Sequence, residues 1–235
     1  MLARLLVGLD GGVQADVALE QAIVLARRLG SAITVGYVHE PGRVVDPALG
    51  ARAVFRIAAA RLEGRLVERD GEAGAVLAEL GRGADGVLVG RGRTAPGRRA
   101  AALARDAARC VVSCAGVPSP LRVCAVALDG GDSSVRALRV AARVAAAPGG
   151  VLHLIHAAPD AARARDVTAP VEEQLSREGV AFHTHVRAGR PAEVLAALAR
   201  ELRADVLFIG APASDARSTT EDILTHVSIP VVVHP

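Results

Sequence analysis

Three features of the sequence predict an α/β fold, in which parallel strands alternate with helices, present as two tandem copies. The apolar run LLVGLDGG at 5–12 recurs as AVALDGG at 125–131, and neither run has a polar residue before its Asp. Such runs are typical of parallel strands buried on both faces. Each Asp-Gly-Gly precedes apolar residues at helical spacing, and the order of segments returns after 119 or 120 residues. A duplicated unit of about 115 residues, an ordinary domain size, explains all three.

The first copy alternates strands with helices up to a short linker. Its first helix ends with arginines at 27–28, which favour a helix carboxyl end, and with Gly30 as the stop. The linker is GVPSP at 116–120, where two prolines prevent regular structure. The predicted strands are 5–10, 32–38, 64–68, 86–89 and 110–113, and the predicted helices are 17–29, 51–62, 73–80 and 100–109. The predicted domains are therefore 1–117 and 121–235.

The second copy repeats this order almost without gaps. Residues 9–12 match 128–131 at an offset of 119, and Gly30 matches Gly149 at the same offset. The later matches, at an offset of 120, are Ala84-Asp85 with Ala204-Asp205, Gly90 with Gly210, and 111–112 with 231–232. One inserted residue over this length indicates tandem duplication. Alternating strands and helices make each copy a parallel α/β sheet.

The composition excludes several classes of function. Apolar residues make up 51% of the 235 residues, but there are no Trp, one Tyr and three Phe, so the core must consist of Val, Leu, Ile and Ala. The chain has no Lys, which excludes a P-loop and a Schiff-base lysine. The net charge is +3 and base-stacking aromatic residues are nearly missing, so nucleic acid is not an expected partner.

The three cysteines and the amino-terminal segment predict a cytoplasmic protein. Cys110, Cys114 and Cys124 lie in apolar strand-like runs and are odd in number, which favours buried free thiols in a reducing compartment. The start MLARLLVGLD is interrupted too early for a signal peptide. No apolar run approaches the roughly 18 residues of a membrane span, so no membrane association is expected.

Asp10 and Asp129 lie at the carboxyl ends of equivalent predicted strands. Open parallel sheets bind ligands at that edge, near the point where the strand order reverses. The two aspartates are therefore candidate ligand contacts. An Asp-Gly pair that follows a strand is also common in ordinary turns. The sequence therefore leaves both a ligand contact and a turn role open.

The motifs in this order resemble the universal stress protein family, in a tandem two-domain form that covers essentially the whole chain. The matching segments are Asp-Gly after each first strand, YVHEP and HAAP after each second strand, and AGRPAEVLAALARELRADVLFIG followed by STTEDILTHVSIPVVV. The resemblance implies two Rossmann-like domains, similar to adenine nucleotide alpha hydrolases. Each would be a five-stranded parallel sheet of order 3-2-1-4-5 with helices on both faces. It also implies that the fifth strands pair in an internal pseudo-dimer.

The resemblance further implies a site for ATP or another adenine nucleotide between strands one and four, with no metal assigned. The Asp after strand one contacts the base, and a glycine-rich loop after strand four holds the phosphates through backbone N–H groups and a helix start. The implied contacts are Asp10, Gly11, Val38, Gly90, Gly97 and Arg98 in the first half, and Asp129, Gly130, Gly210, Ser218 and Thr219 in the second.

The phosphate loops depart from the family pattern in both halves. In the family, the Gly-Ser or Gly-Thr that opens the helix lies about thirteen positions after the first Gly. Here Gly97 lies only seven positions after Gly90, and Arg217 lies seven positions after Gly210. Six fewer residues remove up to about 20 Å of contour, so we expect weakened or lost phosphate binding. Arginine side chains can compensate, since they bind phosphate oxygens in a fork, and the candidates are Arg91, Arg93, Arg98, Arg99 and Arg217.

Other polar motifs have structural alternatives. Residues 218–221, STTE, fit a capping box as well as a phosphate site, and the arginines at 91–99 fit a solvated loop as well as an anion site. His183 and His185 would share one face of a strand, but no third ligand is indicated by spacing, so a metal site is not expected. His153 and His156 would face opposite sides of one strand, and packing or exposure is the expected role of these histidines.

No nucleophile elbow, metal-ligand cluster or supported carboxylate pair identifies a reaction, which argues weakly for binding rather than catalysis. The expected function is a stress-response binding or regulatory module with weakened or lost adenine nucleotide binding. The alternative is an ATP-binding protein with slow ATPase activity. A third hypothesis is a regulator that contacts an acidic protein partner through the arginine-rich loop.

Overall fold

A computed structural model describes residues 2–40, 42, 46–91, 110–158, 161–211 and 219–235. The chain divides into two compact units, Met1–Ser119 and Pro120–Pro235. The predicted helix 100–109 and most of the arginine-rich loop lie outside the described residues. In the described part of the chain, no helix has the length and apolar character needed to cross a membrane.

The first unit is a parallel sheet, and a helix connects each pair of successive strands from β1 to β4. Its strands lie in the order β3-β2-β1-β4-β5, and each neighbouring pair runs parallel. The described elements are β1 (Arg4–Leu9), α1 (Val13–Leu29), β2 (Ala32–His39), α2 (Leu49–Ala59), β3 (Gly64–Asp70), α3 (Ala73–Gly81), β4 (Gly86–Gly90) and β5 (Cys110–Cys114).

The second unit repeats this arrangement. Its strands lie in the order β8-β7-β6-β9-β10, again with every neighbouring pair parallel. The described elements are β6 (Val123–Ala127), α4 (Asp132–Ala145), β7 (Val151–Ala157), α5 (Ala161–Arg177), β8 (Phe182–Arg187), α6 (Pro191–Glu201), β9 (Val206–Gly210), α7 (Thr219–His226) and β10 (Val231–His234). In both units the first strand is central, so the sheet order reverses beside it.

Two helix boundaries differ from the prediction for identifiable reasons. Helix α1 begins at Val13, four residues before the predicted start, because Gly12 takes the extended conformation of an N-cap and the chain turns directly into the helix. Its predicted end is confirmed, with Gly30 at φ 69° and its N–H donating to Ala26 O. Helix α2 ends at Ala59 rather than 62, since Arg61 adopts a left-handed φ of 59°.

The core consists mainly of Val, Leu, Ile and Ala side chains, as the composition predicts, with Tyr37 and Phe208 as the largest fully buried residues. All three cysteines are free and buried. Burial raises the pKa of Cys110 and of Cys114 to about 12, which keeps both as neutral thiols. The two residues therefore act as small apolar side chains rather than nucleophiles.

A repeated aspartate ties the start of the central strand to its neighbour in each unit. Asp85 Oδ2 accepts hydrogen bonds from the backbone N–H groups of Ala3 and Arg4 at 3.0 and 2.9 Å. Asp205 Oδ2 accepts the equivalent pair from Arg122 and Val123 at 2.8 and 2.9 Å. The Ala-Asp repeat in the sequence therefore has a structural reason at the amino edge of the sheet, opposite the candidate site.

Candidate functional site

The turns after β1 and β6 have the same geometry. Asp10 Oδ1 accepts a hydrogen bond from Gly12 N at 2.9 Å, and Asp129 Oδ1 accepts one from Gly131 N at 2.8 Å. Gly11 and Gly130 have φ values of +75° and +85°, a conformation that favours glycine. The turn interpretation of both aspartates therefore holds, through Oδ1 of each carboxylate.

A cavity of about 490 Å³ opens at this edge of the first unit, a volume within the usual range of small-molecule sites. Three predicted site residues, Asp10, Val38 and Gly90, lie in its wall. The carboxyl ends of β1 and β4 and the first turns of α1 and α3 form the rest. The lining residues are Gly8, Leu9, Asp10, Gly12, Val13, Gln14, Ala15, Val38, Ala73, Leu77, Val89 and Gly90.

The second unit has a cavity of about 300 Å³ at the equivalent edge. It contains the predicted residues Asp129 and Gly210, and its remaining wall is mostly aliphatic. The lining residues are Ala127, Leu128, Asp129, Ile155, His156, Ala157, Pro191, Leu195, Ile209, Gly210, Thr220 and Ile223. Because both cavities lie beside the central strand, each occupies the position where open parallel sheets bind ligands.

Gly90 and Gly210 are needed for packing, whatever they bind. A Cβ atom at Gly90 would lie 2.5 Å from the backbone of Gln14, in the first turn of α1. A Cβ atom at Gly210 would lie 2.5 Å from Ser133 Oγ and 2.6 Å from Ser134 N, in the first turn of α4. These glycines therefore let a helix amino terminus approach the end of the fourth strand in each unit.

Arg91, a candidate phosphate ligand from the sequence, has its guanidinium hydrogen-bonded to Ser113. Its side chain is buried, Nε donates to Ser113 Oγ at 3.0 Å, and Nη2 donates to Ser113 O at 3.1 Å. Burial lowers the pKa of Arg91 to about 10, so the guanidinium stays charged at neutral pH. The compensating role proposed for arginine after Gly90 is thus not supported for Arg91, whose fork binds the end of β5 instead.

The other predicted phosphate contacts are only partly described. Gly97, Arg98 and Ser218 lie outside the described residues. Ser218 is also the serine of the predicted capping box. Thr219 is the first residue of α7. Eight residues separate it from Gly210, the last residue of β9.

Sequence analysis missed several residues of the cavity walls. Gln14 lies in the part of α1 that was predicted as loop, and only the correct helix start would have placed it at the site. His156 is buried, and its Nδ1–H donates to Leu128 O at 2.6 Å beside the second cavity. Leu77 and Leu195 come from helices α3 and α6, which no motif connects with the aspartate turns.

Three further histidines form a cluster on β7 and β8, here called the histidine cluster: His153, His183 and His185. His153 Nδ1 lies 3.0 Å from His185 Nε2, and the rings of His153 and His183 stack with centroids 5.3 Å apart. Burial, and then the charges of the neighbouring imidazoles, lower the pKa of His153 and of His185. Among the described residues, no group of three or more His, Cys, Asp or Glu side chains is arranged to hold a metal ion.

The family model described as the universal stress protein family matches residues 1–108 and again 120–235. The chain therefore belongs to the universal stress protein family and is a tandem member, with one family domain in each half. The α/β class and the two Rossmann-like domains predicted from the sequence are confirmed. No curated protein is significantly similar to the chain in sequence.

Solved structures agree with this fold. A universal stress protein from Archaeoglobus fulgidus DSM 4304 is similar with a TM-score of 0.87 and 22% identity, covering 100% of this chain and 98% of that one. A functionally unknown protein from Pseudomonas aeruginosa PAO1 is similar with a TM-score of 0.74 and 17% identity, covering 99% and 92%. At these identities the similarity shows the fold, and function must be argued from the site.

Proposed function

We propose that the chain is a cytoplasmic stress-response binding and regulatory module whose two cavities hold adenine nucleotides weakly, mainly through the nucleoside. The observation that carries this proposal is the pair of equivalent cavities at the carboxyl edges of the two sheets. Each has an aspartate at its rim and an aliphatic wall suited to a flat base. Three free buried cysteines support a reducing compartment such as the cytoplasm.

Weak phosphate binding follows from the segments after the fourth strands. The connection from Gly210 to Thr219 has only eight residues, fewer than the family pattern uses to surround a phosphate chain. In the first unit, the guanidinium of Arg91 is bound to Ser113. Both features reduce the number of donors that a triphosphate would meet, so the nucleoside should contribute most of the affinity.

The aspartates provide the test of where the nucleoside binds. Asp10→Ala and Asp129→Ala should each lower the affinity for AMP at one site by about tenfold or more, the usual effect of losing a hydrogen bond to a charged group. Asp10→Asn and Asp129→Asn are the matched controls, because an amide oxygen can still accept the turn hydrogen bond. Isothermal titration calorimetry on the full chain measures both sites.

Two results would contradict this proposal. One is an unchanged AMP affinity in both alanine variants, which would leave the aspartates with a turn role only. The other is binding of ATP, ADP or AMP with a Kd below about 1 μM, a free energy stronger than about −8 kcal/mol, which a weakened site would not provide.

The second candidate function is ATP binding with slow hydrolysis. It is favoured by the larger volume of the first cavity, about 490 Å³, which adjoins the end of β4 where the arginine-rich segment 91–99 begins. Phosphate release from ATP, measured with the full chain and with Asp10→Ala, distinguishes the two. Turnover that depends on Asp10 would favour the ATPase, and release equal to the protein-free control would exclude it.

A further inference from the structure

The histidine cluster lies outside the walls of both cavities, on the last two strands of the second sheet. Strands β7 and β8 pair in a register that sets His153 opposite His183 and Ile155 opposite His185. Alternate residues of a strand share one face of the sheet, so the three imidazoles lie on the same face. His153 and His185 are half-buried and His183 is exposed, so the cluster can be reached from solvent.

The two nitrogens that face each other have the separation of two ligands on one metal ion. His153 Nδ1 lies 3.0 Å from His185 Nε2, and the two ring centroids are 5.1 Å apart. Zinc binds imidazole nitrogens at about 2.0–2.1 Å, so two nitrogens on a tetrahedral ion are roughly 3.3 Å apart. At a right angle, as in square-planar Cu²⁺, the same bond lengths give roughly 2.9 Å. The observed separation lies between these two values.

The protonation and charge of the surroundings also suit a cation. Metal ions bind neutral imidazole, and burial, followed by the charges of neighbouring imidazoles, lowers the pKa of His153 and of His185. Both rings are therefore mostly neutral at pH 7. The charges of Arg187 and Glu201 also act on His185. These two side chains form a two-hydrogen-bond ion pair with both distances at 2.7 Å, so the guanidinium charge is largely offset.

We propose that His153 and His185 bind a divalent transition-metal ion, with water completing its coordination and Cu²⁺ bound most tightly. Imidazole favours this class of ion, and Cu²⁺ stands at the top of the affinity order. The ring that donates the hydrogen bond between the two histidines carries its proton on its other nitrogen when the ion binds. Among the described residues no third protein ligand joins the pair, so the ion has two protein ligands.

This site differs from the histidine pair that the sequence suggests. Spacing along β8 singles out His183 and His185, whereas the register of β7 and β8 brings His153 to His185. His183 stacks on His153 and is assigned a packing role. A bound ion would join β7 to β8, the strand at the end of the order in the second sheet. The inference is independent of the proposed function, because neither cavity contains these residues.

The test is equilibrium dialysis of the full chain, without a histidine tag, against Cu²⁺ at neutral pH. We expect about one bound ion per chain, and at least about tenfold weaker binding in His153→Gln and in His185→Gln, since loss of even an outer partner of a metal site costs 10–100-fold. His226→Gln is the matched control, because that imidazole lies on α7 and contacts Asp222 O. This control and His183→Gln should keep the wild-type affinity. A large excess of Mg²⁺, which prefers oxygen ligands, should not compete.

Electron paramagnetic resonance of the Cu²⁺ complex of the wild-type chain gives a readout that does not depend on how the variants fold. Its superhyperfine pattern should show two imidazole nitrogens, and circular dichroism checks that each variant is folded. Equal Cu²⁺ binding in the wild type, His153→Gln and His185→Gln would place the ion elsewhere and overturn the inference. A wild-type chain that retains no Cu²⁺ would leave only a hydrogen bond between the two rings and would also overturn it. A loss in His183→Gln as large as in His185→Gln would contradict the two-ligand assignment.

Discussion

The aspartate at the amino edge of the second sheet gives a prediction whose size follows from the structure. Asp205 Oδ2 accepts two backbone hydrogen bonds, from Arg122 N at 2.8 Å and Val123 N at 2.9 Å. Hydrogen bonds to a charged acceptor contribute about 1.5–3 kcal/mol each. The first donor is exposed and the second is partly buried, so water replaces some of the loss. Asp205→Ala should therefore lower the free energy of unfolding by roughly 2–3 kcal/mol.

Urea denaturation followed by far-ultraviolet circular dichroism measures this change, since the chain has no Trp for fluorescence. Asp205→Asn is the control, because its amide oxygen can accept the same two hydrogen bonds, and its loss should be under about 1 kcal/mol. A free energy of unfolding for Asp205→Ala within 0.5 kcal/mol of wild type, on the order of a neutral surface change, would refute the reasoning. So would an equal loss in the alanine and asparagine variants.

Three other predictions concern packing, the linker and acid. Gly210→Ala should lower the free energy of unfolding by about 1–3 kcal/mol in the same assay, because the new Cβ would overlap the first turn of α4. Gly83→Ala is the control and should leave the free energy of unfolding nearly unchanged, because the nearest atom to its Cβ would be 3.5 Å away. Gln21→Leu should cost about 2 kcal/mol by denaturation, since the fully buried amide of Gln21 binds the backbone of Ser119 through both of its ends. Acid should destabilise the second unit through the histidine cluster. The imidazoles of His153 and His185 have lower pKa values in the folded state than the unfolded value of about 6.5. Their contribution to the free energy of unfolding is therefore complete above that pH and is lost as the pH falls through the folded values. The urea midpoint should fall between pH 7 and pH 5, and less so in His185→Gln; a midpoint that rises in acid would contradict the assignment.

The sequence predicts the sheet well because the signal is duplicated. Asp10 and Asp129 end apolar runs that have no polar interruption, and such runs form buried parallel strands. Both aspartates therefore fall at the carboxyl edges of their sheets, as expected, and each lines a cavity there. The repeat at an offset of 119 or 120 residues makes each half evidence for the other, which compensates for weak segments such as β3.

The sequence predicts the side-chain environment less well, since that depends on register and on helix starts. His153 and His183 are 30 positions apart, and only the pairing of β7 with β8 places them side by side. Gln14 was missed because the helix was predicted to start at residue 17, whereas α1 begins at Val13. Gly90 fits a phosphate loop and a helix contact equally well, and only the approach of α1 shows the second role.

The affinity ratio between ATP and adenosine tests the central claim most directly. Both ligands are titrated into the full chain at one salt concentration, because screening alters any contribution from phosphate charge. If the cavities bind the nucleoside and lack a complete set of phosphate donors, the two Kd values should agree within about threefold, or less than 1 kcal/mol. ATP binding more than tenfold tighter than adenosine, at either site, would contradict the account.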